Sequence, residues 1–192
     1  MTSAKKSQAR RSHGTALLLV DLINPFDYPD AQKLAPRAVR AAEAIARLKR
    51  RTQACGYATV YANDNFGHWM SEFSALTDHC RRLPGAAGAI ADLLSPEPQD
   101  FAILKPRHSA FYGTPLDFLL EELKVQRLIV AGLTADMCVF ATAQDAYVRK
   151  YELWIPRDCV AAATASYETA SLSHMARTMK ADTRAARGSR RL

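Results

Sequence analysis

Five short apolar runs, Thr15–Val20, Tyr57–Ala62, Asp100–Leu104, Arg127–Ala131 and Leu153–Ile155, punctuate this chain, and stretches of helical periodicity separate them. Runs this short and this uniformly apolar are strands buried on both faces. Strands that alternate with helices build a parallel sheet covered on both sides. In the first intervening stretch Pro36 suits a helix start, Val39, Ala42, Ile45 and Ala46 recur at helical spacing, and Gly56 suits the stop. Further helices are expected over Ser71–Leu83, Ala86–Leu94, Thr114–Leu123, Cys138–Lys150 and Ala165–Lys180, with a weakly marked sixth strand around Ala181–Thr183. The expected fold class is α/β, three layers in α-β-α order with a mostly parallel sheet of about six strands, Rossmann-like in architecture.

The chain has 192 residues, 48% of them hydrophobic, enough for one well-buried core. One domain over 15–183 is expected, between basic disordered tails at 1–14 and 184–192. The formal net charge is +7, yet Lys5, Lys6, Arg10 and Arg11 at one end and Arg184, Arg187, Arg190 and Arg191 at the other come with no acid and exceed that whole surplus. The body between them is near neutral, so the ends read as solvated tails and not as a nucleic-acid surface. No apolar run reaches the roughly 18 to 20 residues of a membrane span, and the basic N-terminus lacks the apolar core of a secretory signal. A cytoplasmic protein with no membrane and no nucleic-acid partner is expected. Cys55, Cys80, Cys138 and Cys159 form no CxxC pair and have no histidine at ligand spacing, which points to reduced thiols without a zinc site or disulfide framework.

Ligands of open α/β sheets gather beyond the carboxyl ends of the strands, and three such ends carry reactive side chains. The first strand runs into Asp21, the third into Lys105, and the fourth into the turn that carries Cys138. A lone aspartate there is more often a cap, a lone lysine is usually solvated, and an isolated cysteine is usually inert. Together, a carboxylate, an ammonium and a thiol on one sheet edge make up an activated nucleophile with a base and an electrostatic partner. Cys138 also opens an apolar-periodic helix, where free N–H groups and the helix dipole favour thiolate.

The block Gly132-Leu133-Thr134-Ala135-Asp136-Met137-Cys138-Val139 resembles the nucleophile turn of the isochorismatase-like cysteine hydrolases, which include nicotinamidases and N-carbamoylsarcosine amidases. Val20-Asp21-Leu22-Ile23-Asn24-Pro25-Phe26 is similar to that superfamily's first-strand block, and Lys105-Pro106-Arg107-His108-Ser109-Ala110-Phe111 to its lysine block. The resemblance covers about residues 15–183 in the family order. It implies an isochorismatase-like fold and a homo-oligomer, dimer or tetramer. It implies Asp21 as general base, Lys105 as its cationic partner and Cys138 as nucleophile. It further implies an oxyanion hole of backbone N–H groups at Thr134, Ala135 and Cys138, with a cis peptide at Thr134–Ala135. The expected reaction is cleavage of a C–N bond in a small amide or carbamoyl or ureide substrate through a thioester. The alternative is a non-catalytic or redox-sensing member that binds a small ligand or a protein partner.

Several residues depart from the family pattern. Nicotinamidases carry an Asp-x-His metal pair after the second strand, whereas this chain reads Asn63-Asp64-Asn65-Phe66-Gly67-His68; neither metal nor other cofactor is expected. Ala135 replaces the usual threonine of the nucleophile turn. Isochorismatase, which cleaves a vinyl ether, resembles this fold without the cysteine, so Cys138 argues for acyl transfer. A haloacid-dehalogenase-like phosphatase would need a second Asp where Ile23 stands, and a dinucleotide enzyme would need glycines that Leu22–Tyr28 lacks. A papain-like pairing of cysteine with His108 or His79 finds no setting that the chain marks out for it. Pro25, Phe26, Asp64, Phe66, Trp69, Phe111 and Tyr112 fall in the blocks and loops expected to wall a pocket for a small planar or apolar acyl group; core packing is the competing role for the aromatics.

Overall fold

In a computed structural model of the chain, residues 14–66 and 72–189 are described. The N-terminal tail, Trp69 and His68 lie outside them. The elements run β1 (Thr15–Val20), α1 (Ala31–Ala54), β2 (Ala58–Asp64), α2 (Phe73–Arg82), α3 (Ala86–Leu93), β3 (Phe101–Lys105), α4 (Leu116–Glu122), β4 (Arg127–Leu133), α5 (Cys138–Val148), β5 (Glu152–Trp154), β6 (Val160–Ala161) and α6 (Ala165–Thr178). The sheet order is β3-β2-β1-β4-β5, with β6 on β4, and every pair is parallel.

β1 is central and buried at all six positions, and its alternating side chains divide the interior into two layers. Ala16, Leu18 and Val20 meet Leu116 and Leu120 of α4, Val139 and Ala143 of α5, and Met175 of α6. Leu17 and Leu19 meet Leu34, Ala38 and Ile45 of α1 and Ile90 of α3 on the opposite face. This is the three-layer α-β-α arrangement expected from the alternation of runs.

Differences from expectation lie at element ends. α1 begins at Ala31 instead of Pro36, and Pro36 sits inside it. Ala31 and Leu34 are buried, so the apolar stripe extends upstream, and its burial outweighs the one ladder hydrogen bond that proline removes. β6 has no counterpart among the expected strands; it pairs with Gly132 and Leu133 and prolongs the lane of β5 beside β4. The strand expected around Ala181–Thr183 is reduced to one parallel bridge between Asp182 and Trp154.

Residues 184–189, expected as part of a solvated tail, pack on the body. Arg51 donates to the carbonyls of Ala186 at 2.8 Å and Ser189 at 2.5 Å. Asp158 accepts from the N–H groups of Ala186 and Arg187. Body residues thus satisfy this segment's backbone, a pairing that local composition does not reveal. Among the described residues no helix is long and apolar enough to cross a membrane.

Candidate active site

β1, β2, β3 and β4 end at one edge of the sheet, and the polar residues that follow them converge there. The chain turns out of β1 at Asp21 in a left-handed conformation, φ 49°, which a short polar side chain tolerates better than a branched one. Gly132 on β4 permits the close approach of β1: a Cβ there would lie 2.0 Å from the Val20 carbonyl oxygen.

Asp21 is held on both carboxylate oxygens. Oδ2 faces Lys105 Nζ at 2.8 Å, and Oδ1 accepts the Asp64 N–H at 2.7 Å. Lys105 is fully buried and Asp21 6% exposed, so their separation from water requires this pairing. Lys105 Nζ also donates to the Arg107 carbonyl at 3.1 Å and lies 3.9 Å from Asp64 Oδ2. Asp64 thereby belongs to the site through both its backbone and its side chain.

Cys138, the first residue of α5, completes the group. Its thiol hydrogen-bonds Asp21, and burial together with the Asp21 charge pushes its pKa up to about 12 against the opposing pull of Lys105. Burial and the adjacent carboxylate thus work against the thiolate that the helix start favours. Burial also raises the Asp21 carboxyl above the ordinary carboxylate range, with Lys105 and the hydrogen bonds working downward.

The turn before Cys138 differs from expectation in two places. The cis peptide is Leu133–Thr134, one bond earlier than Thr134–Ala135. The Ala135 N–H, expected in the oxyanion hole, donates instead to Ala161 O of β6 at 2.9 Å. Cys138 N–H, at the first position of α5, lies outside the helix's own ladder. The Thr134 carbonyl accepts from Met137 and Val139, which fixes the turn.

The expected pocket residues separate. Phe66 follows Asp64 and donates its N–H to Asp64 Oδ1 at 2.6 Å; Phe26 stands in the loop after β1, its ring 6.4 Å from that of Tyr28. Tyr112 is exposed. Phe111 belongs to the core instead, 5% exposed, with its ring near Tyr151 and the Arg149 guanidinium 4.7 Å above it. Its loop turns that side chain into the core. Two residues join that sequence reasoning did not place. Tyr28 is close enough for the Asp21 and Cys138 charges to reinforce the upward shift that burial gives its hydroxyl. His108 Nδ1 lies 3.7 Å from Cys138 Sγ, the pairing that the sequence had not marked.

Among the described residues no cluster of three or more His, Cys, Asp or Glu suits a metal. Phe66 stands two positions beyond Asp64 and offers no donor atom, so these residues do not fit the metal pair of the nicotinamidases.

Comparisons with known proteins identify the family. The Isochorismatase domain profile matches residues 15–186. The isochorismatase family protein YaaI of Bacillus subtilis strain 168 is 36% identical over 146 residues, 76% of this chain and 80% of YaaI. The maleamate amidohydrolase of Pseudomonas putida is 28% identical over 153 residues, 76% of this chain and 71% of that protein. The crystal structure of the nicotinamidase of Staphylococcus aureus superimposes with a TM-score of 0.68 at 25% identity, covering 88% of this chain and 98% of the other. The chain therefore belongs to the isochorismatase family.

Proposed function

We propose that this protein is a cysteine hydrolase that cleaves the C–N bond of a small amide, carbamoyl or ureide compound, with Cys138, Asp21 and Lys105 as its triad. The observation that carries the reading is the convergence of a buried ion pair, Lys105 and Asp21 at 2.8 Å, on the thiol of Cys138. The amide substrates named for the maleamate and nicotinamide hydrolases above are consistent with it.

In this mechanism Asp21, made more basic by burial, takes the thiol proton as Sγ attacks the carbonyl carbon. Burial and the Asp21 charge push the thiol pKa up, so proton transfer to Asp21 accompanies the attack. The oxyanion is met by backbone N–H groups of Cys138 and Thr134, each worth about 3 kcal/mol in comparable sites. Asp21 returns the proton to the leaving nitrogen as the C–N bond breaks. Water then loses a proton to the same carboxylate, attacks the thioester and releases the acid, and the proton restores the thiol. Lys105 holds Asp21 in place and in its charged form. Phe26, Phe66 and Tyr28 border the acyl group, which favours a small, planar or apolar one.

Ammonia release from a panel of small amides, ureides and carbamoyl compounds tests the reading. At least one compound is expected to be turned over by the wild type and not by folded Cys138→Ala. Activity retained in that variant would sink the assignment.

A further inference from the structure

We propose that His108 is a second catalytic acid–base for Cys138, acting from the solvent side of the thiol while Asp21 acts from the buried side. The inference rests on Cys138 being the nucleophile.

His108 Nδ1 is 3.7 Å from Sγ, within hydrogen-bond range for sulfur, and the residue is exposed. Its place there is fixed by its neighbours. The Arg107 carbonyl is tied to Lys105 Nζ at 3.1 Å. Ser109 Oγ donates to Asp145 Oδ2 at 2.5 Å, and the Ala110 N–H donates to Thr142 Oγ1 at 3.0 Å. Cys138, Thr142 and Asp145 stand at i, i+4 and i+7 of α5, one helical face. The face that carries the nucleophile therefore also clamps the loop just after the imidazole, at Ser109 and Ala110, while Lys105 of β3 holds it just before, at Arg107. Around the thiol, the charged groups are Asp21 after β1, Asp64 of β2 and Lys105 of β3, with Arg107 beside His108 in its own loop.

The two bases differ in reach. Asp21 and Lys105 close the buried side of Sγ, so an amine leaving the acyl carbon departs toward solvent, where His108 stands. When Nδ1 takes the proton, the S–H bond breaks, an N–H bond forms, and the sulfur lone pair forms the S–C bond as the carbonyl π pair moves to oxygen, to return when the C–N bond breaks. The imidazolium then gives that proton to the leaving nitrogen as the C–N bond breaks, which leaves a thioester, a free amine and neutral His108. The one thiol proton thus has two acceptors, Asp21 on the buried side and His108 on the solvent side; when it travels by His108, Asp21 stays a carboxylate, ready to deprotonate the water of the next half-reaction.

Alkylation of Cys138 by iodoacetamide, read on its own peptide because Cys55 is exposed and would react too, tests the proposal without any substrate. His108→Ala is expected to slow alkylation about tenfold or more at pH 7.5, and added imidazole to restore it in His108→Ala while leaving the wild type unchanged. His108→Gln, which keeps a polar side chain without a basic nitrogen, should be slow as well. Alkylation at the wild-type rate in His108→Ala and His108→Gln, or a slow His108→Ala that imidazole does not restore, would overturn the proposal. Failure of the amide panel would instead count against the hydrolase reading, and the alkylation result would stand apart from it.

Discussion

A carboxylate and an ammonium with almost no access to water sit 2.8 Å apart at the end of the central strand. Neither is stable there alone, since an uncompensated buried charge costs about 3 to 5 kcal/mol. Lys105→Ala should therefore lower kcat by a factor on the order of 10² or more. Lys105→Arg should restore it only partly, because a planar fork does not replace a point charge. The pH profile carries a sharper expectation. The proposed mechanism needs ionised Asp21, whose pKa is raised by burial and held down by Lys105. Activity is present above that pKa and lost as pH falls through it. The acid limb of kcat/KM should thus lie above the ordinary aspartate value of about 4, and Lys105→Ala should move it higher still. An acid limb at or below that value, or one that Lys105→Ala leaves in place, contradicts these roles. Asp21 and Lys105 stood out in the sequence because each directly follows an apolar run, and Cys138 because it opens the helix after the next one. His108 was not, because its approach to Cys138 depends on hydrogen bonds to residues four and seven positions further along α5.

At the scale of elements, the site depends on how β1 and β4 pack where they end, beside Gly132. Gly132, φ 131°, has no room for a side chain: the Val20 carbonyl oxygen would be 2.0 Å from its Cβ. Gly132→Ala is expected to force these strands apart, lowering Tm by several degrees and activity by at least tenfold, as thermal unfolding and ammonia release would record. A variant with wild-type Tm and activity would show that the strand ends can shift without consequence. The sequence announced β1 by its unbroken apolar run, since a strand covered on both faces has no polar positions. It did not announce β6, whose two residues leave no periodicity to read. Nor did it reveal the upstream reach of α1, where burial of Ala31 and Leu34 overrides the usual position of a proline. Phe111 shows the same limit from the other side, since which way a loop turns its aromatic ring depends on Tyr151 and Arg149, far along the chain.

The whole molecule is a scaffold of two apolar layers about one sheet that delivers its polar residues to one edge. Layer order and the parallel sheet followed from the alternation of runs; the anchoring of residues 184–189 did not, because it depends on Arg51 and Asp158 in the body. The residues at the second strand's end lack a metal pair, so hydrolysis should survive exhaustive chelation; loss of activity that zinc restores would show ligands elsewhere. The central claim is covalent, that Cys138 Sγ carries the acyl group between the two half-reactions. Acid quenching of the protein during turnover of an active amide, followed by mass spectrometry of its peptides, reads this directly. The account predicts the mass of the acyl group on the Cys138 peptide, absent in Cys138→Ala and removed by hydroxylamine. Turnover with no acyl mass on that peptide in the wild type, and undiminished in Cys138→Ala, would contradict it.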